Sequence, residues 1–169
     1  ECGTNSTAGN AYVFTPDASG VLSKVAELTA TVGASGDQFG NSVAIDGGTG
    51  VLGALGTNPR AGNDLVFTHS ASGNWSQVAE LNGQASKDRF GYSVAIDSDT
   101  CVIGACGTNS KAGNAYVFTP DASGVWSKVA ELTASDGASG DQFGNSVAID
   151  GGTCVIGAWR TNSYAGNAY

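Results

Sequence analysis

The chain is poor in the residues that most catalysis needs. Among 169 residues there is one histidine, His69, and there are three prolines and no methionine. One histidine leaves no Ser-His-Asp or Cys-His set that recurs along the chain, and nucleophilic catalysis of that kind is not expected. Only 13% of residues are charged, and seven basic against 15 acidic residues give a net charge of −8. Nucleic acids and anionic membrane surfaces both need clustered Lys and Arg, so neither is expected as a partner. No apolar run approaches the roughly 20 residues of a membrane-spanning helix. Without an initiator Met or a signal-like apolar segment, the chain is expected to be a mature product or a fragment. Four cysteines are present, and none stands in the C-x-x-C spacing of a zinc site.

What the chain does have is glycine, 26 residues of it, and a repeat. Phe-Gly recurs at Phe39-Gly40, Phe90-Gly91 and Phe143-Gly144. Ala-Gly-Asn recurs at Ala8-Gly9-Asn10, Ala61-Gly62-Asn63, Ala112-Gly113-Asn114 and Ala165-Gly166-Asn167. A fixed period of this length is the signature of a repeat array. Cutting at the Gly-Thr-Asn before each Ala-Gly-Asn divides the single array 1–169 into units 3–55, 56–106 and 107–159, with a partial fourth unit at 160–169. Units one and three differ only at Thr7/Lys111, Leu22/Trp126, Thr31/Ser135, Val32/Asp136, Gly50/Cys154, Leu52/Ile156 and Leu55/Trp159.

Each unit reads as four short strands. In unit three, Ala115–Phe118 is β-prone and Thr119–Gly124 is a Pro/Gly turn. Val125–Leu132 is a second strand, with Trp126, Lys128, Ala130 and Leu132 on one face. Ser146–Ile149 follows a Gly/Ser/Asp loop, Gly151-Gly152 makes a hairpin, and Thr153–Ala158 is the fourth strand. No stretch carries helical periodicity with caps. The fold class is therefore all-β, built of four-stranded antiparallel units of the propeller-blade kind, with a β-solenoid as the structural rival. Three and a part units fall short of the usual four to eight blades, so the array is expected to belong to a larger ring, array or filament.

The segments Phe143–Asp150, Val155–Ala158 and Ala165–Tyr169 resemble the FG-GAP repeat, the unit of the β-propeller head of integrin α chains and of many surface proteins. Unit two repeats the frame as Phe90–Asp97, Val102–Ala105 and Ala112–Phe118. The resemblance implies one propeller blade per repeat, an extracellular setting, and a role in adhesion, ligand recognition or scaffolding. Two departures qualify it. The Pro that closes the motif is replaced by Leu55, Cys106 and Trp159. The family's calcium loop, which needs several carboxylates at alternating positions, is reduced to Asp46-Gly-Gly-Thr, Asp97-Ser-Asp-Thr and Asp150-Gly-Gly-Thr. Asp97 and Asp99 are the residual metal candidates; otherwise no cofactor is expected.

The recurring carboxylates are Asp37, Asp88 and Asp141, then Asp46, Asp97 and Asp150, and finally Glu27, Glu80 and Glu131. A glycosidase would need two of them in one cleft with separated pKa values, whereas recurrence once per unit suits a structural role. Asn5 and Asn74 head N-x-[ST] triplets and are glycosylation candidates. Cys2, Cys101, Cys106 and Cys154 are disulfide candidates whose pairing the sequence leaves open. The recurring Phe is read as a core anchor. Leu22, Trp75 and Trp126 share a phase read as core. Trp159, at a strand end, is a candidate for stacking on a sugar or a partner. The functional expectation is a non-enzymatic extracellular structural or adhesion module that presents a surface to other proteins or to copies of itself. A carbohydrate-binding propeller and a calcium-dependent adhesion head are the alternatives.

Overall fold

The computed structural model describes residues 9–31, 36–56, 62–84 and 87–169. Its strands are β1 (Ala11–Pro16), β2 (Leu22–Leu28), β3 (Phe39–Asp46), β4 (Thr49–Ala54), β5 (Asn63–His69), β6 (Trp75–Asn82), β7 (Phe90–Asp97), β8 (Thr100–Ala105), β9 (Asn114–Pro120), β10 (Trp126–Leu132), β11 (Phe143–Asp150), β12 (Thr153–Ala158) and β13 (Asn167–Ala168). They form two four-stranded sheets, β3-β4-β5-β6 and β7-β8-β9-β10, a three-stranded sheet β11-β12-β13, and the pair β1-β2. Every pairing is antiparallel.

Each full sheet takes its first two strands from one sequence unit and its last two from the next. The unit boundaries at Gly56 and Gly107 thus fall inside sheets, between second and third strands. Four strands per repeat is right; the sheet is simply out of phase with the sequence cut. Successive sheets stand side by side, with β7 against β3 and β4, and β11 against β7 and β8. This is the side-by-side stacking of propeller blades, and the fold is β-propeller-like.

The two sequence motifs meet at the seams. Phe39, Phe90 and Phe143 are buried, and each ring packs on an aromatic of its own sheet: Phe67, then Tyr116 and Phe118, on the third strands, and Tyr169 just after β13. The Gly that follows adopts φ of +80 to +82° at Gly91, Gly40 and Gly144, which L-residues avoid. The ladder register jumps at that point in all three first strands. The Gly of Ala-Gly-Asn lies against the Phe backbone of the next sheet, as at Gly113 and Phe143. Phe143 N–H donates to Ala112 O at 2.9 Å. The second-strand glycines Gly53 and Gly104 abut Gly91 and Gly144 in the same way, the close approach their position within a strand predicts.

The outer strands differ from a simple alternation. Their registers skip Val25, Val78 and Val129, each a bulge residue left exposed. The face drawn through Trp126, Lys128, Ala130 and Leu132 is therefore broken at Val129. Leu22 is also not core: it is exposed, while Trp75 and Trp126 at the same phase are half-buried against apolar clusters.

Candidate binding surfaces

Antiparallel order puts two kinds of connection at each end of the sheets. One end carries the hairpins at Gly47-Gly48, Ser98-Asp99 and Gly151-Gly152, with Asp46, Asp97, Asp99, Asp150, and the turn residues Asp17 and Asp121. The other carries the loops before each Phe-Gly and the turns after each second strand. We call this the loop end.

The recurring carboxylates are occupied by structure. Glu27, Glu80 and Glu131 accept from Asn10, Asn63 and Asn114 Nδ2 at 2.7, 2.9 and 2.6 Å. That pairing ties the Asn of Ala-Gly-Asn across the third and fourth strands. Asp37, Asp88 and Asp141 are buried, and their carbonyls accept from Gly56, Gly107 and Arg160 N–H. Asp141 Oδ2 also accepts from Ala138 N–H at 2.8 Å. Asp46 Oδ2 accepts from Ser98 N–H in the next sheet at 2.7 Å. Asp17 and Asp121 each accept from a serine hydroxyl, Ser19 and Ser123 Oγ at 2.6 Å, and from the N–H groups two and four residues on, and these bonds, the hydroxyl first, hold both carboxyls below the usual carboxylate range.

Asp97 and Asp99 sit in a hairpin where Asp97 accepts from Ser98 Oγ at 3.3 Å. Among the described residues no group of three or more His, Cys, Asp or Glu side chains is placed to hold a metal. With at most two carboxylates per hairpin, and Asp46 engaged with Ser98, these residues do not fit the calcium cage that the family's loop would provide. His69 ends β5 and packs on Trp75, ring centroids 5.3 Å apart.

Cys101, Cys106 and Cys154 are free thiols, so the disulfide expectation is not met among the described residues; Cys2 lies outside them. The three occupy different surroundings. Cys101 is in the apolar core, where burial pushes its thiol up to about 12. Cys106 is also buried, raised by desolvation against the opposing pull of the Arg89 guanidinium, and Cys154 is half-buried on β12. Asn74 is exposed in the turn before β6, its Nδ2 donating to Ser72 Oγ at 3.2 Å. Asn5 lies outside the described residues.

Trp159 is 48% exposed at the loop end. Its Nε1 donates to Gln142 Oε1 at 2.7 Å, its ring meets Tyr164 at 5.5 Å between centroids, and the Arg160 guanidinium lies over both rings at 5.1 and 4.9 Å. One seam away, Lys87, Arg89 and Lys111 line a cleft of about 400 Å³. Neither set was visible as a site in the sequence beyond Trp159 itself. The usable signal is that Lys87, Arg89, Trp159 and Arg160 each differ from every other unit at their position. The turns Thr108–Lys111 and Thr161–Tyr164 are held in left-handed backbone, φ 47, 57 and 69° at Asn109, Ser110 and Lys111 and 52, 57 and 74° at Asn162, Ser163 and Tyr164. Such conformations cost energy and concentrate at functional sites.

One buried group stands apart. Asp64, at a position held by Ala11, Ala115 and Ala168 in the other units, is fully buried between Gly53 and Gly91, with no hydrogen-bond partner for either carboxylate oxygen. Desolvation raises its carboxyl well above the ordinary carboxylate value.

The FG-GAP repeat model matches residues 22–67, 75–118 and 126–169, and the chain belongs to the FG-GAP repeat family. The family is generally non-enzymatic, builds β-propeller-like modules often found in adhesion proteins, and occurs typically in extracellular or surface proteins. A comparison with curated protein sequences finds no match. No helix among the described residues is long and apolar enough to cross a membrane.

Proposed function

We propose that the chain is a non-enzymatic adhesion module of the cell exterior whose partners are other proteins and, first among them, copies of itself joined end to end. One observation carries this reading: residues buried in the inner seams are exposed at the two outer faces. Val51 and Val102, on the second strands β4 and β8, are 0% exposed because they pack into the next sheet, against Phe90 and Ile96 and against Phe143 and Ile156. Val155 holds the same place on β12 and is 50% exposed. On the opposite face Ile45, the counterpart of Ile96, is 63% exposed, as is Val43. They line an apolar cleft of about 470 Å³ between β1 and β3, beside Phe14. The two faces are the complementary halves of one seam. Joining them sets β12 beside β1, where each inner sheet has its second strand, with the two-residue β13 giving way to β1; it buries apolar surface head-to-tail.

Sedimentation over a wide concentration range tests this. The wild-type mass is expected to rise with concentration, while Ile45→Asp, at an exposed position, stays monomeric. A wild-type chain that is monomeric throughout, or an Ile45→Asp chain that assembles equally well, contradicts it. The carbohydrate-binding reading is favoured by a different surface, the exposed Trp159–Tyr164 pair.

A further inference from the structure

We propose that the loop end carries a binding site for an acidic polysaccharide, formed by the Lys87/Arg89/Lys111 cleft and the Trp159/Tyr164 platform. Its Trp159 edge borders the β12 face, at the phase where Leu55 and Cys106 meet the next sheet, so the site belongs to the dilute, monomeric chain.

Charge is the first argument. The chain has a net charge of −8 and only seven basic residues. Lys24 and Lys128 are ion-paired with Glu27 and Glu131 on the outer strands, and Arg60 lies outside the described residues. The other four, Lys87, Arg89, Lys111 and Arg160, all stand at the loop end. Lys87 and Lys111 are exposed and make no ion pair among the described residues. Asn109 and Ser110 add polar groups to the cleft wall, and the one acidic side chain there, Asp88, is buried. A cationic cleft on an acidic protein is a local anion site, since its field acts at short range despite the opposite net charge.

Continuity is the second. The Lys111 carbonyl accepts from Gln142 N–H at 2.8 Å, and the Ser110 carbonyl accepts from Ser139 Oγ at 3.0 Å. Gln142 in turn holds the Trp159 indole. The cleft and the aromatic platform are therefore linked through one loop, 138–142, and make one surface.

The third argument is that the fold does not ask for these residues. Lys87 stands where the other units have Gly36 and Gly140, Arg89 where they have Gln38 and Gln142, and Lys111 where they have Thr7, Arg60 and Tyr164. Trp159 replaces Leu55 and Cys106. Arg160 replaces Gly56 and Gly107, where a Cβ would run into the carbonyls of Gly36 and Lys87. At Arg160 the loop stands back, with the N–H to carbonyl distance 3.3 Å to Asp141 against 2.9 Å at each of the two glycines. The units also differ elsewhere, as at His69 for Pro16 and Pro120, but at this end the differences set basic side chains beside an exposed Trp.

The ligand follows from the two chemistries together. Carboxylate or sulfate groups satisfy the exposed Lys87 and Lys111 side chains first, since Arg89 also reaches Cys106 and Arg160 donates to the Tyr164 hydroxyl. Arg160 takes one face of the Trp159 and Tyr164 rings, and the flat apolar face of a pyranose ring covers what they leave exposed. A free inorganic anion has no use for the platform, and a neutral sugar has none for the cleft.

The test is calorimetric titration of the whole chain with four probes: a uronic-acid oligosaccharide, a sulfated oligosaccharide, a neutral oligosaccharide of the same length, and polyglutamate. One or both acidic saccharides are expected to bind, the better one identifying the acid group, with affinity falling as salt rises. The triple variant K87G/R89Q/K111T uses the repeat's own residues and so keeps the fold. It is expected to weaken binding by about tenfold or more, and W159L by roughly fivefold. The proposal is overturned if neither acidic saccharide binds, if the neutral saccharide or polyglutamate binds as tightly, or if either set of substitutions leaves affinity unchanged.

Discussion

The inner seam at β7 and the open face of β3 are built from the same sequence and have opposite surroundings. Ile96 on β7 is 9% exposed beneath Val51; its counterpart Ile45 on β3 is 63% exposed. Phe67 and Phe118 are buried, while Phe14 at the same phase is 54% exposed. The flanking segments Phe39–Asp46 and Phe90–Asp97 differ at a single residue, Asn41 against Tyr92. Burial here is thus a property of the neighbour rather than of the unit. Each unit carries an apolar face fit for a following or preceding sheet, whether or not the chain supplies one, and that is the physical basis for reading the open face as an interface.

The contrast is broken most severely by a charge. Ile96→Asp places an unpaired carboxylate in the closed seam and is expected to cost about 4 kcal/mol or more. Ile45→Asp, the same substitution at the open face, is expected to stay within about 0.5 kcal/mol of wild type. Urea unfolding of dilute, monomeric protein compares them, and equal losses would mean that β3 is covered. A smaller effect separates the two inner seams. Ser42 Oγ donates to Gly91 O at 2.7 Å and Ser93 Oγ to Gly144 O at 2.9 Å, so the bridging device is the same. Only the first seam buries Asp64 in place of Ala115. Its carboxyl holds its proton in the folded chain to a higher pH than in the unfolded one. The folded state therefore binds more protons above the unfolded pKa, and stability falls as pH rises from there through the raised folded value. Asp64→Ala is expected to stabilise the chain by about 2 kcal/mol at alkaline pH and to flatten that part of the pH profile. Thermal melts at pH 5 and pH 8 decide it, and an unchanged profile would assign the dependence elsewhere. The smallest effect is Ser93→Ala, which removes one inter-sheet hydrogen bond at a cost of about 1 kcal/mol in the same unfolding assay.

Much of this architecture is legible in the chain. The Phe-Gly and Ala-Gly-Asn repeats announce the period, and the alternation around Val147 and Val155 announces the strands. Phe90 and its equivalents read correctly as core because an aromatic followed by an obligatory Gly packs where the backbone must turn sharply. The phase of the sheets was not legible. A periodic sequence looks the same wherever it is cut, and only the pairing of β4 with β5 across Gly56 shows where a sheet begins. The bulges at Val25, Val78 and Val129 were hidden for a related reason: a Val suits a regular strand and a bulge equally. At the loop end, Lys87, Arg89 and Lys111 form no motif in the sequence. They come together only when the loop before β7 is folded against the turn after β8, a contact between residues about twenty apart in the chain. Asp64 was passed over because nothing in Asn-Asp-Leu distinguishes a buried carboxyl from a turn residue.

The central claim is that the β3 face and the β12 face are two halves of one seam, and a mixing experiment addresses it directly. Ile45→Asp disables the first face and Val155→Asp the second, both at exposed positions. Each variant alone should sediment as a monomer. An equimolar mixture should form a one-to-one dimer and nothing larger, because one good face of each kind remains. Wild-type-like assemblies from either variant alone, or a mixture that stays monomeric while wild type assembles, would contradict the account.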